Sequence, residues 1–255
     1  MNNSSSDSPT RLVGSDRVLA VLRELGEHPQ GLTLDAIASS LDSPKPTIHR
    51  ALGSLRRAGF ATQVSRGRYI LGDEFLRLAL HTIAERPDSA IVGPVLDRLA
   101  EQFGETTHYA ILEGTDVVYR AKADPPSGAV RLTSVIGGRN PAYCTAVGKL
   151  LLSNVVANRA DLVELLGPGP LPRRTEHTIT DIAALWGALE EARERGFAVD
   201  DQENEAGVNC VAVAMPTDSR LLLPGAVSVS ALAFRTPLAQ LVEQVPSIVE
   251  AVIGR

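Results

Sequence analysis

Aromatic residues are scarce in this 255-residue chain, at 4%. Five Phe, four Tyr and one Trp leave little on which unpaired bases could stack, which disfavours a single-strand nucleic-acid binder. Two cysteines are too few for a disulfide framework. No run of about 18 apolar residues occurs, so no membrane-spanning helix is expected. No basic-then-apolar leader precedes Ser15, and with so little cysteine the expected setting is a reducing cytoplasm. Gly-x-Ser-x-Gly and His-Glu-x-x-His are both missing. Gly138 and Gly148-Lys149 do not make a P-loop, because the glycines are too far apart and Leu150 stands where a Ser or Thr is needed. No catalytic residue and no cofactor is therefore expected.

One absence is local. No acidic residue lies between Asp42 and Asp73, whereas Lys45, Arg50, Arg56, Arg57, Arg66 and Arg68 all do. Residues 11–72 hold nine Lys/Arg against five Asp/Glu, a net +4. The remainder holds 16 against 25, a net −9, which gives the overall −5. A cationic segment on an acidic body is the footprint of a duplex-DNA reader.

The pattern inside that segment fits. Ser15 or Asp16 caps a helix that turns Val18, Leu19, Leu22 and Leu25 inward and ends near Gly26–Pro29. Leu34, Ile37, Ala38 and Leu41 make the apolar face of a second helix. Ser43 is the expected N-cap of a third, with Pro44 at its first position, where a missing N–H costs nothing. Ile48, Leu52 and Leu55 then point one way, and Pro46, Arg50, Gly53 and Arg57 the other, with Thr47 and His49 on the flanks. Gly59 ends the helix. Ala61–Val64, a turn at Ser65-Arg66-Gly67 and Arg68–Leu71 form a hairpin wing. Residues 15–72 thus read as a winged helix-turn-helix behind a disordered Ser/Asn-rich tail, 1–14. Thr47, His49 and Arg50 are expected at base edges, with Lys45, Arg57, Arg66 and Arg68 on phosphates and Ser43 beside them. The expected partner is double-stranded DNA with a pseudo-palindromic operator.

Residues 73–88 read as a linker helix whose Phe75, Leu76, Ala79, Leu80 and Ile83 make a stripe too wide to stay wet. It could pack on its own wing; a dimer contact is the preferred reading. Pro87-Asp88-Ser89 breaks it. From 89 to 255 the elements change character. A helix at Ile91–Phe103 precedes a hairpin of Thr107–Leu112 and Asp116–Ala123. A third strand at Val130–Ile136 and a loop at Gly137–Pro141 follow. Helices come next at Thr145–Leu152 and Ala157–Leu166, then one at Asp181–Arg195 capped by Thr180 and ended by Gly196. Strands at Ala198–Asp200, Val208–Met215 and Gly225–Leu232 precede a closing helix, Pro237–Ile253. This order argues an α+β domain with an antiparallel sheet.

Two stretches are not explained by core packing: GGRNPAYCTAVGKLLL from Gly137 and GFAVDDQENEAGVNCVAVAMP from Gly196. The first carries Gly138, Arg139, Pro141, Thr145, Ala146, Gly148 and Lys149; the second Gly196, Ala198, Asp200, Glu203, Gly207 and Cys210. A later strand adds Ser228 and Ser230. With the winged helix in front, the chain resembles the IclR family of transcriptional regulators from about Ser15 onward. That resemblance implies a C-terminal GAF-like α/β domain binding a small organic acid, on a homodimer or dimer of dimers. The implied effector contacts are Ala146, Val147, Asp200, Cys210, Ser228 and Ser230. The chemistry agrees: a helix start offers free N–H groups to a carboxylate, and Ser228 and Ser230 share one side of their strand. Asp200 would accept from an effector hydroxyl or be protonated. Tyr143 and Cys144 stand where many members have His then Ala, and Val147 is bulkier than usual, which implies an altered pocket. The rival reading is a thiol enzyme using Cys144 and Cys210. Asp200 and Cys210 could also be two metal ligands, but no third is placed, His108 and His177 being unanchored, and no metal is expected.

Overall fold

The computed structural model describes residues 14–84, 87–125, 132–216 and 223–254. The tail reading thus falls almost wholly outside the described residues. The chain divides into two compact units, Met1–Glu85 and Arg86–Arg255.

In the first unit, α1 (Gly14–Glu27), α2 (Leu34–Ser40) and α3 (Lys45–Arg57) enclose a small core. Val21, Leu25, Ile37, Ile48, Leu52, Leu55 and Tyr69 are among its buried members. The wing is β2 (Ala61–Ser65) paired antiparallel with β3 (Arg68–Leu71), and a short β1 (Leu32–Thr33) adds to the other side of β3. β1 was not expected, because two residues show no alternation. It is pinned by Arg68, whose Nη1 donates to the Gly31 carbonyl at 2.7 Å. Thr33 caps α2 by accepting from the Ala36 N–H. Ser43 does not cap α3, as its hydroxyl turns back to the Leu41 carbonyl and Pro44 occupies the cap with no side-chain bond. Pro44's rigid φ sets the helix entry instead. The linker helix α4 (Asp73–Ala84) leaves Leu76, Leu78 and Leu80 exposed, while Phe75 and Ala79 are half-buried. The Ile83 side chain is outside the described set.

Alternation along the strands layers the second unit. The strands are β4 (Thr106–Glu113), β5 (Asp116–Ala123), β6 (Arg139–Pro141), β7 (Phe197–Asp201), β8 (Val208–Ala214) and β9 (Gly225–Leu232). They form one antiparallel sheet in the order β6-β5-β4-β9-β8-β7. One face, with Tyr109, Ile111, Val211, Val213, Val227 and Val229, packs on α5 (Pro87–Phe103), α9 (Leu238–Glu243) and α10 (Val245–Ile253). The other face, with Ala110, Ala198, Ala212 and Ala226, packs on α6 (Ala146–Val155), α7 (Arg159–Leu166) and α8 (Ile182–Arg195). These alanines share a core with α6, and small side chains there let a helix approach the sheet closely.

Several expectations need correction. The linker helix α4 does end ahead of Pro87, but the next helix, α5, begins at Pro87 itself rather than at Ile91, consistent with proline's fitness for a first helical turn. Of the expected strand at 130–136, residues 132–136 are described and are not strand. Arg139–Pro141, expected as loop, is strand paired with β5. Asp181, not Thr180, caps α8 through the Ala184 N–H at 2.8 Å. The closing helix is two, because the chain turns at Gln244 ahead of Pro246.

Candidate functional site

The strand register draws a row of polar groups across the helix-facing side of the sheet. Asp200 pairs with Cys210, and Cys210 with Ser230. In a neighbouring row Ala212 pairs with Ser228, and Ser228 with His108. Ser228 and Ser230 are 3% and 5% exposed, so they are not the wet side of an edge strand. Above these rows begins α6. Its cap, Thr145, accepts the Gly148 N–H at 3.0 Å. The N–H groups of Ala146 and Val147 take no protein acceptor among the described residues. Gly148 is needed for this geometry, since a Cβ there would lie 2.2 Å from the Ala142 carbonyl oxygen. Between helix start and sheet lies a cavity of about 270 Å³. Ala146, Val147, Asp200, Cys210, Ser228 and Ser230 all line it.

The electrostatics are unusual for so small a space. The Asp200 Oδ1 accepts from the Glu203 N–H at 2.7 Å and the Asn204 N–H at 3.4 Å. Even so, burial pushes its pKa up to about 7, with Lys149 opposing the rise. Lys149 itself is buried and committed to an ion pair with Glu203. Cys210 donates to the Ser230 hydroxyl at 3.1 Å. Burial raises both thiols, that of Cys144 to about 12 and that of Cys210 well above its ordinary value, so neither is a ready thiolate. That weighs against the thiol-enzyme reading.

Sequence reasoning missed the remaining wall. Leu132–Val135, expected as strand, lines the cavity as an irregular segment. Lys122 holds it by donating to the Leu132 and Ser134 carbonyls, each at 2.9 Å. His108 Nε2 meets the Ser134 hydroxyl at 2.7 Å. Burial, helped by Lys122, lowers the His108 pKa to about 3, so the ring is neutral. It leans on Tyr119, ring centroids 4.8 Å apart, and the Tyr119 hydroxyl accepts from Asn140. Arg174, from the loop before α8, stands at the cavity's edge. Among the described residues no three His, Cys, Asp or Glu side chains converge as a metal would require. His177 does not line the cavity.

The first unit presents a different surface. Lys45, Pro46, His49, Arg50, Arg56 and Arg57 are exposed along α3, with Ser43 and Thr47 half-buried. Lys45 pairs with Asp35 at 2.9 Å across a solvated surface, and Arg50 and Arg57 make only loose bonds within their own helix. Arg66 is exposed at the wing tip. Arg68 is already occupied with Gly31, so a phosphate would have to share it.

Family models match both units. "IclR helix-turn-helix domain" covers residues 15–65, and "Bacterial transcriptional regulator IclR C-terminal" covers residues 81–252. The chain belongs to the IclR family. As an IclR regulator it is 32% identical over 205 residues to the Pca regulon regulatory protein of Pseudomonas putida, covering 80% of this chain and 69% of that one. A solved IclR transcriptional regulator from Alicyclobacillus acidocaldarius superposes with a TM-score of 0.78 at 26% identity, covering 93% and 95% of the two chains. An IclR homologue from Microbacterium hydrocarbonoxydans, solved with 4-hydroxybenzoate, has a TM-score of 0.72 at 23% identity over 94% and 98%. IclR membership brings a DNA-binding helix-turn-helix with it, and among the described residues no helix is long and apolar enough to cross a membrane.

Proposed function

We propose that this IclR regulator reads a pseudo-palindromic operator with α3 and is controlled by a small carboxylate held in the α6 cavity. The observation that carries the effector half is the convergence of two unspent N–H groups at Ala146 and Val147 with the Asp200–Cys210–Ser230 row. A helix start carries partial positive charge, so a carboxylate belongs there. The serine hydroxyls and Asp200 then face the rest of the molecule, where a hydroxyl or carbonyl would satisfy them. The Microbacterium hydrocarbonoxydans homologue binds an acid of this broad kind; at 23% identity it lends the fold, and the donors of this cavity carry the chemistry.

Thr47, His49 and Arg50 contact base edges, and Lys45, Arg57 and Arg66 fix the phosphates, with Ser43 at the start of the reading helix and Arg68 dividing its guanidinium between Gly31 and the backbone of the DNA. Residues 15–72 act as the reading domain, 73–88 as linker and 89–255 as sensor. The exposed leucines of α4 are the contact of a cytoplasmic homodimer, which the two-fold operator requires. The effector shifts the disposition of the two reading units and so changes DNA affinity by about 1–3 kcal/mol. The test is a thermal-stability titration with small carboxylates. Asp200→Ala and Ser230→Ala should each abolish the stabilisation seen with the wild type; affinity unchanged in both would move the site elsewhere.

A further inference from the structure

We propose that Arg174 selects for a second acidic group on the effector, making the cavity's ligand a dicarboxylate; this rests on the carboxylate reading above. Among the described residues, two arginines line the cavity. Arg139 is spent on an ion pair with Glu113. Arg174 is not: its Nε donates to the Asn204 carbonyl at 3.1 Å, and neither Nη has a protein partner among the described residues.

This is not an idle surface arginine. Its own N–H donates to the Thr178 hydroxyl at 3.1 Å, and that buried hydroxyl donates to the Glu203 carbonyl at 2.7 Å. Next to it, the Thr175 hydroxyl donates to the Gln202 carbonyl at 2.6 Å. The loop bearing Arg174 is thereby riveted to the loop that follows Asp200, and Nε is fixed against the same loop. The Nε bond leaves both Nη groups available to a ligand, and a planar fork is suited to one carboxylate taken through two bonds. The α6 start takes the other carboxylate. A cavity of about 270 Å³ holds roughly nine water volumes, which is room for a short diacid. A monoacid would fill the α6 end and leave the fork to water.

The test compares matched acids by calorimetry on the full chain: butyrate with succinate, hexanoate with adipate, octanoate with suberate. In at least one pair the diacid should bind about tenfold tighter. Arg174→Gln, an exposed substitution, should erase that preference while changing monoacid affinity less than about twofold, and Arg174→Lys should restore part of it. Equal binding of both members in every pair, or a preference that survives Arg174→Gln, overturns the assignment. If none of the six acids binds, the carboxylate reading itself fails and takes this one with it.

Discussion

Replacing Asp200 by Asn should make stability climb with pH relative to the wild type. The Asp200 carboxyl is raised from 3.8 to about 7 in the folded chain. Over that interval the native state holds a proton that the unfolded state has released, so stability is full below the ordinary value and is lost as pH rises. His108 works in the other direction. Its pKa falls from 6.5 to about 3, so the unfolded state holds the extra proton and stability is lost as pH falls through that window. The two windows overlap, and the two slopes oppose each other at about 1.4 kcal/mol per pH unit. Between about pH 4.5 and 6.5 each contributes about 2–3 kcal/mol, and in the wild type they cancel. Asn at 200 keeps the oxygen that accepts from the Glu203 and Asn204 N–H groups and removes only the titration. The measurement is urea denaturation across that pH range. The single tryptophan, Trp186 on α8, reports unfolding of this unit. The stability of Asp200→Asn relative to wild type should climb by about 2–3 kcal/mol from the acid end to the neutral end. That of His108→Gln should fall by as much, and the double variant should track the wild-type slope. Glu203, also raised by burial, is present in every protein compared and drops out. A constant offset between Asp200→Asn and wild type at every pH would refute the assigned protonation states.

Further outcomes follow from other parts of the chain. Arg50→Ala should cost about 1–3 kcal/mol at one operator position and relax discrimination there, whereas Arg66→Ala should weaken all duplexes alike and flatten the salt dependence; identical behaviour in anisotropy titrations would undo the division of roles. Leu52→Ala, at a site 1% exposed, should destabilise the reading unit by about 2–5 kcal/mol in thermal melts. Lys149→Met leaves Glu203 buried without its partner and should cost about 3–5 kcal/mol, most of it recovered by adding Glu203→Gln; no recovery would show that the pair is not the source. A Cys144→Ala, Cys210→Ala protein should keep operator binding and its response to carboxylates, and loss of both would revive a thiol role.

Much of this architecture was legible where a residue's environment depends on near neighbours in sequence. The apolar faces of α2 and α3, the hairpin wing and β9 follow from period and turn chemistry alone. The six cavity positions were reached through family resemblance together with the chemistry of a helix start, and they do share one cavity. What stayed hidden depends on register. His108 meets Ser134 and leans on Tyr119 only because a bulge near Ala110 sets those strands as it does. The stretch after Arg131 is rich in β-formers, yet Lys122 captures two of its carbonyls and no strand forms. Arg174 sits in a Pro- and Thr-rich loop with no period to read, and its position comes from hydroxyl bonds to a loop 25 to 28 residues away.

Strand β9 divides its labour by parity. Val227, Val229 and Ala231 belong to the core on one face, while Ser228 and Ser230 open on the cavity from the other. Chemical taste and structural integrity are thus written on alternate letters of one line. A library that rewrites positions 228 and 230 together with Cys210 on the adjoining strand can explore new inducers while every valine behind them stays put, so descendants of this sensor can change diet without first having to relearn how to fold.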